Sequence, residues 1–260
     1  MAGRIAVEKR GALGWLVFDH PERRNAITLE MWRQIPAAAA ELDLDSAVRV
    51  VILRGAGEAA FVAGADISEF GRARSGDNIA GYDRDNQRAY AAIEGIAKPV
   101  VAMIHGYCVG GGVGIALAAD LRYAADDARL GVPPARLGLG YSIAGIEKLA
   151  QLVGHSNAKQ ILFTARRFAA DAALQMGLLT GVFPKPRLEA EVTALAETMA
   201  SNAPLTLRSI KLALRELSRP ASERDLSAAQ RAVEACYESE DYREGVAAFL
   251  EKRSPLFKGR

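Results

Sequence analysis

Two β-branched runs, Val48–Leu53 and Val100–Ile104, fix most of what this chain can fold into. Both read as strands covered on both faces, which is the habit of a parallel sheet. The first is bounded by Asp45-Ser46 and Gly55-Ala56-Gly57, and the second follows Lys98-Pro99. A polar, periodic segment at about Asp83–Ile96 predicts a helix between them. Strand, helix, strand in that order implies parallel pairing through a crossover. Upstream, Ile5–Val7 and Trp15–Phe18 flank Lys9–Gly14 and predict a hairpin. Thr28 is a candidate cap for a helix running to about Leu42, with Pro36 inside it.

After about Ile143 the pattern turns almost entirely helical. Segments are predicted near Ala144–Leu152, Asn157–Phe163, Ala170–Met176, Leu188–Ser201, Leu205–Leu217, Leu226–Tyr237 and Asp241–Lys252. Gly154, Gly177, Gly181, Pro204 and Pro220 punctuate them. The expected organisation is an α/β core over residues 1–200 and a helical C-terminal part over 201–260. A net charge of +2 supplies no field for nucleic acid. Two cysteines, Cys108 and Cys236, make no disulfide framework and suit a reducing compartment. The N-terminal stretch is too polar for a secretory signal, and the longest apolar runs are broken well short of a membrane span. These features indicate a soluble cytoplasmic protein with no membrane partner, or else a trimmed organellar form.

Two glycine-bearing turns carry the chemistry. Phe61-Val62-Ala63-Gly64-Ala65-Asp66-Ile67 leaves the first strand region and enters a short helix ending near Phe70. Gly106-Tyr107-Cys108-Val109-Gly110-Gly111-Gly112-Val113-Gly114 follows the second strand and opens a helix at Val113–Ala119. Small residues at a strand-to-helix turn let a ligand approach the backbone, and the free N–H groups of a first helical turn favour a negative oxygen. Two such turns on neighbouring strands would present two amides to one oxygen; close helix packing accounts for such glycines as well. A phosphate-binding loop would need Gly-Lys-Ser/Thr after its spacer, and none follows. A dinucleotide fingerprint would need a third glycine where Leu117 stands.

These segments resemble the crotonase (enoyl-CoA hydratase/isomerase) superfamily through nearly the whole chain. Pro21-Glu22-Arg23-Arg24-Asn25-Ala26 is similar to its N-terminal signature, Phe61–Ile67 to its first oxyanion turn and Gly106–Asp120 to its second. Ser239–Gly245 followed by Ala248–Arg253 resembles its C-terminal signature. The resemblance implies a crotonase-like α/β fold, a ββα-superhelix core with a helical C-terminal trimerisation subdomain, assembling as homotrimers or as hexamers built from two trimers. It implies a coenzyme A thioester as substrate, with no further cofactor. It places the oxyanion hole at the N–H groups of Ala65 and Gly111. It places coenzyme A and the acyl group along Arg24, Ala26, Ala63, Asp66, Ile67, Val109 and Pro134, with Phe249 and Lys252 contributed by a neighbouring subunit. Without the resemblance, Lys252 reads as a solvated C-terminal lysine.

The chain departs from the family where hydratases carry two glutamates, one serving as base for water and one as acid toward the α-carbon. By the resemblance those positions are Gly114 and Pro134, and neither holds a proton. Loss of such help removes about two to four orders of magnitude per group. Asp66, Glu69 and Glu147 lie nearby in sequence, but Asp66 also reads as a turn or cap residue and the glutamates as surface charges. Tyr141 remains: its loop is similar to the methylmalonyl-CoA decarboxylase branch, except that Ala65 stands where that branch has histidine. Tyr141 is either a group that orients the acyl carboxylate or delivers a proton, or a pocket-lining aromatic. The 4-chlorobenzoyl-CoA dehalogenase branch fails, because its aspartate and tryptophan fall at Ser142 and Pro134.

His20, His105 and His155 show no metal-ligand spacing, and His105 reads as a strand-end residue with a structural hydrogen bond. Cys108 reads as a small buried thiol. Three expectations follow. The leading one is an enolate-forming lyase that decarboxylates a malonyl-type thioester. The alternatives are an enoyl-CoA hydratase or isomerase with relocated acid–base groups, and a non-catalytic acyl-CoA binder.

Overall fold

A computed structural model describes residues 3–69 and 78–260. The predicted hairpin is β1 (Arg4–Arg10) and β2 (Leu13–Asp19), antiparallel with Val7 opposite Leu16. Helix α1 (Leu29–Leu44) starts at Thr28, whose side chain accepts from Met31 N–H at 3.2 Å. Pro36 does not end it; the proline leaves the Trp32 carbonyl without its helical donor while the apolar face stays buried on Trp32, Ile35, Ala39 and Leu42. Next come β3 (Val50–Gly55), β4 (Ala60–Val62), helix α2 (Ile79–Gly95), β5 (Val100–Ile104), β6 (Tyr107–Val109) and helix α3 (Gly111–Ala118). Strands β7 (Leu121–Ala125) and β8 (Arg129–Gly131) complete the central stretch.

The main sheet has the order β1-β2-β3-β5-β7, closed at its far edge by β10 (Gly181–Phe183), and every pair after the hairpin is parallel. Alternate residues of its buried strands enter two different cores. Val51 and Leu53 join Leu16, Phe18 and Trp32 on one face. Val50 and Ile52 join Trp15, Val101 and the apolar side of helix α6 (Leu188–Ala200) on the other. Cover on both faces is why these runs need no polar alternation.

Two features depart from the sequence-based expectation. The glycine turns do not spring from β3 and β5. They follow β4 and β6, which with β8 and β9 (Phe168–Ala169) form a second sheet in the order β4-β6-β8-β9. The region after Ile143 is also not purely helical, since β9 and β10 return to the two sheets. Strands of two or three residues carry no readable alternation, so periodicity misses them. The long segment α4 (Ile143–Thr164) is broken at Gly154, whose φ of 76° is non-helical, as the punctuation predicted. Helix α5 (Ala170–Gln175) precedes β10, and α7 (Pro204–Leu217), α8 (Leu226–Glu238) and α9 (Glu240–Glu251) follow α6. After β4 the chain makes a 3-10 turn at Ile67–Glu69; the expected helix end near Phe70 lies outside the described residues. No helix among the described residues is long and apolar enough to cross a membrane.

Candidate active site

The two glycine turns leave adjacent parallel strands, with Ala60 opposite Tyr107 and Val62 opposite Cys108. Their backbones share a device: each predicted donor follows a glycine with positive φ, Gly64 at 114° before Ala65 and Gly110 at 54° before Gly111. At the first turn, Ile27 N–H donates to Gly64 O at 2.8 Å and Asp66 N–H donates to Ile27 O at 2.9 Å. Those bonds flank Ala65 on one side of the extended chain, so Ala65's own N–H faces the other side. At the second turn, Gly110 N–H donates to Gly131 O at 2.8 Å, anchoring the turn to β8. Gly110 has φ 54° and ψ −112°, open only to glycine, and this ψ sets the plane of the peptide that carries Gly111 N–H. The first bond within α3 runs from Gly114 N–H to Gly110 O, so the N–H groups of 111–113 have no acceptor inside the helix. Gly112 lets α3 approach β4: a Cβ there would lie 2.3 Å from the Val62 carbonyl oxygen.

Ala65 and Gly111 line one cavity of about 700 Å³, together with Ala63, Ile67 and Val109 from the two turns and Gly114, Pro134 and Tyr141 beyond them. The structure thus brings together most of the sequence-predicted site. Burial, reinforced by Cys108, pushes the Tyr141 hydroxyl up to about 12, so it stays protonated at neutral pH. Burial also pushes the Cys108 thiol up, leaving it unreactive as expected.

The remaining predicted residues lie outside the cavity wall. Arg24, in the left-handed region at φ 54°, accepts Ala63 N–H on its carbonyl at 3.1 Å, and its guanidinium lies over the Tyr107 ring. The Ala26 carbonyl is 2.9 Å from His20 Nδ1. Asp66 accepts from Ser68 N–H at 3.0 Å and Ser68 Oγ at 2.6 Å. Burial raises its carboxyl, but those bonds outweigh it, with Arg23 and His20 assisting, and hold it below the usual range. It is a turn residue. Glu69 accepts Leu29 N–H at 2.8 Å and so caps α1, while Glu147 is exposed and accepts from Gln151. None of the three lines the cavity. Phe249 is 83% exposed on α9, and Lys252 ends that helix in the left-handed region. His105 is buried, and burial, then Arg54 and Lys185, lower its pKa so that it stays neutral; its ring bonds the Gly57 backbone, while Nε2 has no partner among the described residues.

The cavity wall also holds polar groups that linear reading passed over. Tyr90 and Glu94 come from α2, and Lys148 from α4, where it pairs with Glu94. Arg136, Arg166 and Arg167 add positive charge, Arg167 lying over Tyr107 from 5.2 Å. No motif marks these residues, because three separate helices and loops converge on them. A cavity whose two turn amides have no backbone acceptor among the described residues, with three arginines in its wall, suits an anionic ligand whose carbonyl gains negative charge.

Comparison with known proteins agrees with this geometry. Residues 8–260 match the family model for enoyl-CoA hydratase/isomerase. The chain is 34% identical to a short-chain-enoyl-CoA hydratase of Clostridium acetobutylicum, covering 96% of this chain and 95% of that one. It is likewise 34% identical to a crotonyl-CoA hydratase of Syntrophomonas wolfei subsp. wolfei, covering 97% of each. A solved putative enoyl-CoA hydratase/isomerase family protein from Hyphomonas neptunium superposes with a TM-score of 0.93 at 36% identity, over 98% of both chains.

Proposed function

Because this chain belongs to the enoyl-CoA hydratase/isomerase family, we propose that its cavity holds a coenzyme A thioester and stabilises the acyl enolate through the N–H groups of Ala65 and Gly111. The observation that carries the reading is the pair of amides, each turned by a positive-φ glycine, lining one cavity. One such donor is worth roughly 3 kcal/mol in the transition state. Ala63 and Ile67 border the coenzyme A part of the cavity, with Arg24, Ala26 and Asp66 behind them holding the turn, Val109 and Pro134 border the acyl group, and the arginines at the mouth face the phosphates. Phe249 and Lys252 serve a neighbouring copy in a trimer or hexamer. Exposed Leu214, Leu217, Leu226, Phe249 and Leu250 on the last helices support that assembly, and light scattering that finds only monomers removes it.

The relatives' names favour hydration or isomerisation of an enoyl thioester, with acid–base groups moved away from positions 114 and 134. A second reading, decarboxylation of a malonyl-type thioester, is favoured by Gly114 and Pro134 themselves. Breaking the C–C bond to release CO2 leaves its electron pair in the enolate, with no base required. Incubation with crotonyl-CoA and with methylmalonyl-CoA separates them. Hydration of crotonyl-CoA at ordinary enzymatic rates supports the first and removes the second; CO2 release without crotonyl-CoA turnover does the reverse. Binding of both with turnover of neither supports a non-catalytic binder.

In either reaction Tyr141 orients the reacting group beyond the α-carbon: the carboxylate carried by the α-carbon in decarboxylation, or the oxygen added at the β-carbon in hydration. Tyr141→Phe is expected to lose about a hundredfold in turnover with thioester affinity retained; an unchanged rate removes that role. With the hydroxyl pushed up to about 12, the rate stays flat through the range where an ordinary tyrosine ionises, near about pH 10. A fall centred there, and absent from Tyr141→Phe, is the contrary result.

A further inference from the structure

Position 114 and the Tyr90 hydroxyl compete for the same space. A Cβ added to Gly114 would lie 2.6 Å from Tyr90 Oη and 2.7 Å from Cζ, closer than real side chains approach. The ring cannot easily yield. It packs edge-on against Trp32, with centroids 5.4 Å apart, and Trp32 is fully buried and donates its Nε1–H to Tyr82 Oη. The hydroxyl lies over the first turn of α3, where its O–H donates to the Gly111 carbonyl oxygen at a long 3.5 Å, and it is 3.7 Å from where a Gly111 Cβ would sit. A phenol therefore stands in the cavity wall over the turn that carries Gly111, filling the place that a side chain at 114 would reach.

We propose that Tyr90 is a catalytic residue of this site, the proton donor to the α-carbon of the bound enolate. This rests on the acyl-CoA reading above and deepens it, because hydration and decarboxylation end on the same protonation of the α-carbon. The Tyr90 O–H turns from the Gly111 carbonyl to the α-carbon; the enolate C=C electron pair forms the new C–H bond as that O–H breaks, and the C–O⁻ returns to a thioester C=O. The pair left on the tyrosine oxygen makes a phenolate, which water reprotonates. The glycine at 114 is then a requirement of the donor and not a simple deletion, and the proton comes from α2.

The test uses the full chain in D₂O, with whichever of crotonyl-CoA and methylmalonyl-CoA the wild type turns over. The readouts are the rate, the thioester affinity and the configuration of the α-deuterium in the product by NMR. Tyr90→Phe keeps the ring against Trp32 and removes only the hydroxyl. It is expected to lose about a hundredfold in rate, bind within about threefold of wild type, and deuterate both faces of the α-carbon. Wild-type rate with a single configuration overturns the proposal, and so does a slow enzyme that still deuterates one face. A gain test runs alongside: Tyr90→Ala combined with Gly114→Glu regains at least about tenfold over Tyr90→Ala alone, and no regain counts against the proposal. A wild type that binds neither thioester overturns the acyl-CoA reading itself, a result distinct from failure of the Tyr90 variants.

Discussion

Gly111→Pro is expected to lower turnover by two to three orders of magnitude, with thioester affinity held within about threefold, because one oxyanion donor is worth about that much. The site is unusually favourable for this experiment. Gly111 is the first residue of α3, where its N–H has no helical acceptor and proline's fixed φ suits the helix start. The proline removes a donor without removing a helical bond. Any side chain there meets Trp32 at 3.1 Å, a tight approach, so the proper reference is Gly111→Ala, which carries the same Cβ and keeps the N–H. The difference between the two variants isolates the donor. Equal rates for both would remove Gly111 from the oxyanion hole.

Asn25→Ala is expected to cost about 3–5 kcal/mol of stability, from two buried and one half-buried polar group losing partners at roughly 1–3 kcal/mol each with partial relaxation. Asn25 is fully buried at φ 56°. Its Oδ1 accepts His20 N–H at 3.0 Å, and its Nδ2 donates to Ala56 O at 2.9 Å and Ala60 O at 2.7 Å. One amide thus ties the end of β2 to the end of β3 and the start of β4. Asn25→Gly is the control, since it loses the same bonds but tolerates the left-handed backbone, and it should retain about 1 kcal/mol relative to alanine. Thermal unfolding reads both; an alanine variant within about 1 kcal/mol of wild type would mean water replaces the side chain.

The buried strands, the hairpin, the Thr28 cap and the helix breaks were legible in the sequence because each is a local signal. Runs such as Val100–Ile104 need only their own residues to declare burial, and Gly154 needs only its lack of a Cβ to declare a break. The glycine turns were legible for the same reason. The second sheet was not, because β4, β6 and β8 have three residues each and β9 has two. The leading expectation of a decarboxylase also leaned on two absent carboxylates, and it now stands second to the chemistry that the relatives' names carry. Tyr90 shows why absence at one position is weak information. It lies on a different helix from Gly114, and only folding brings the phenol against the glycine. Lys148 and Glu94 meet across the same cavity from still more distant segments.

The positive-φ glycines at 64 and 110 have one more consequence. They aim the two N–H groups by main-chain torsion alone, so the proposed oxyanion hole does not depend on which side chains surround it. Residues 134 and 141, and the coupled pair 90 and 114, can then be exchanged like tool bits in a fixed chuck. In the proposed enolate site such an exchange changes what is done to the intermediate and leaves the backbone that holds it unchanged.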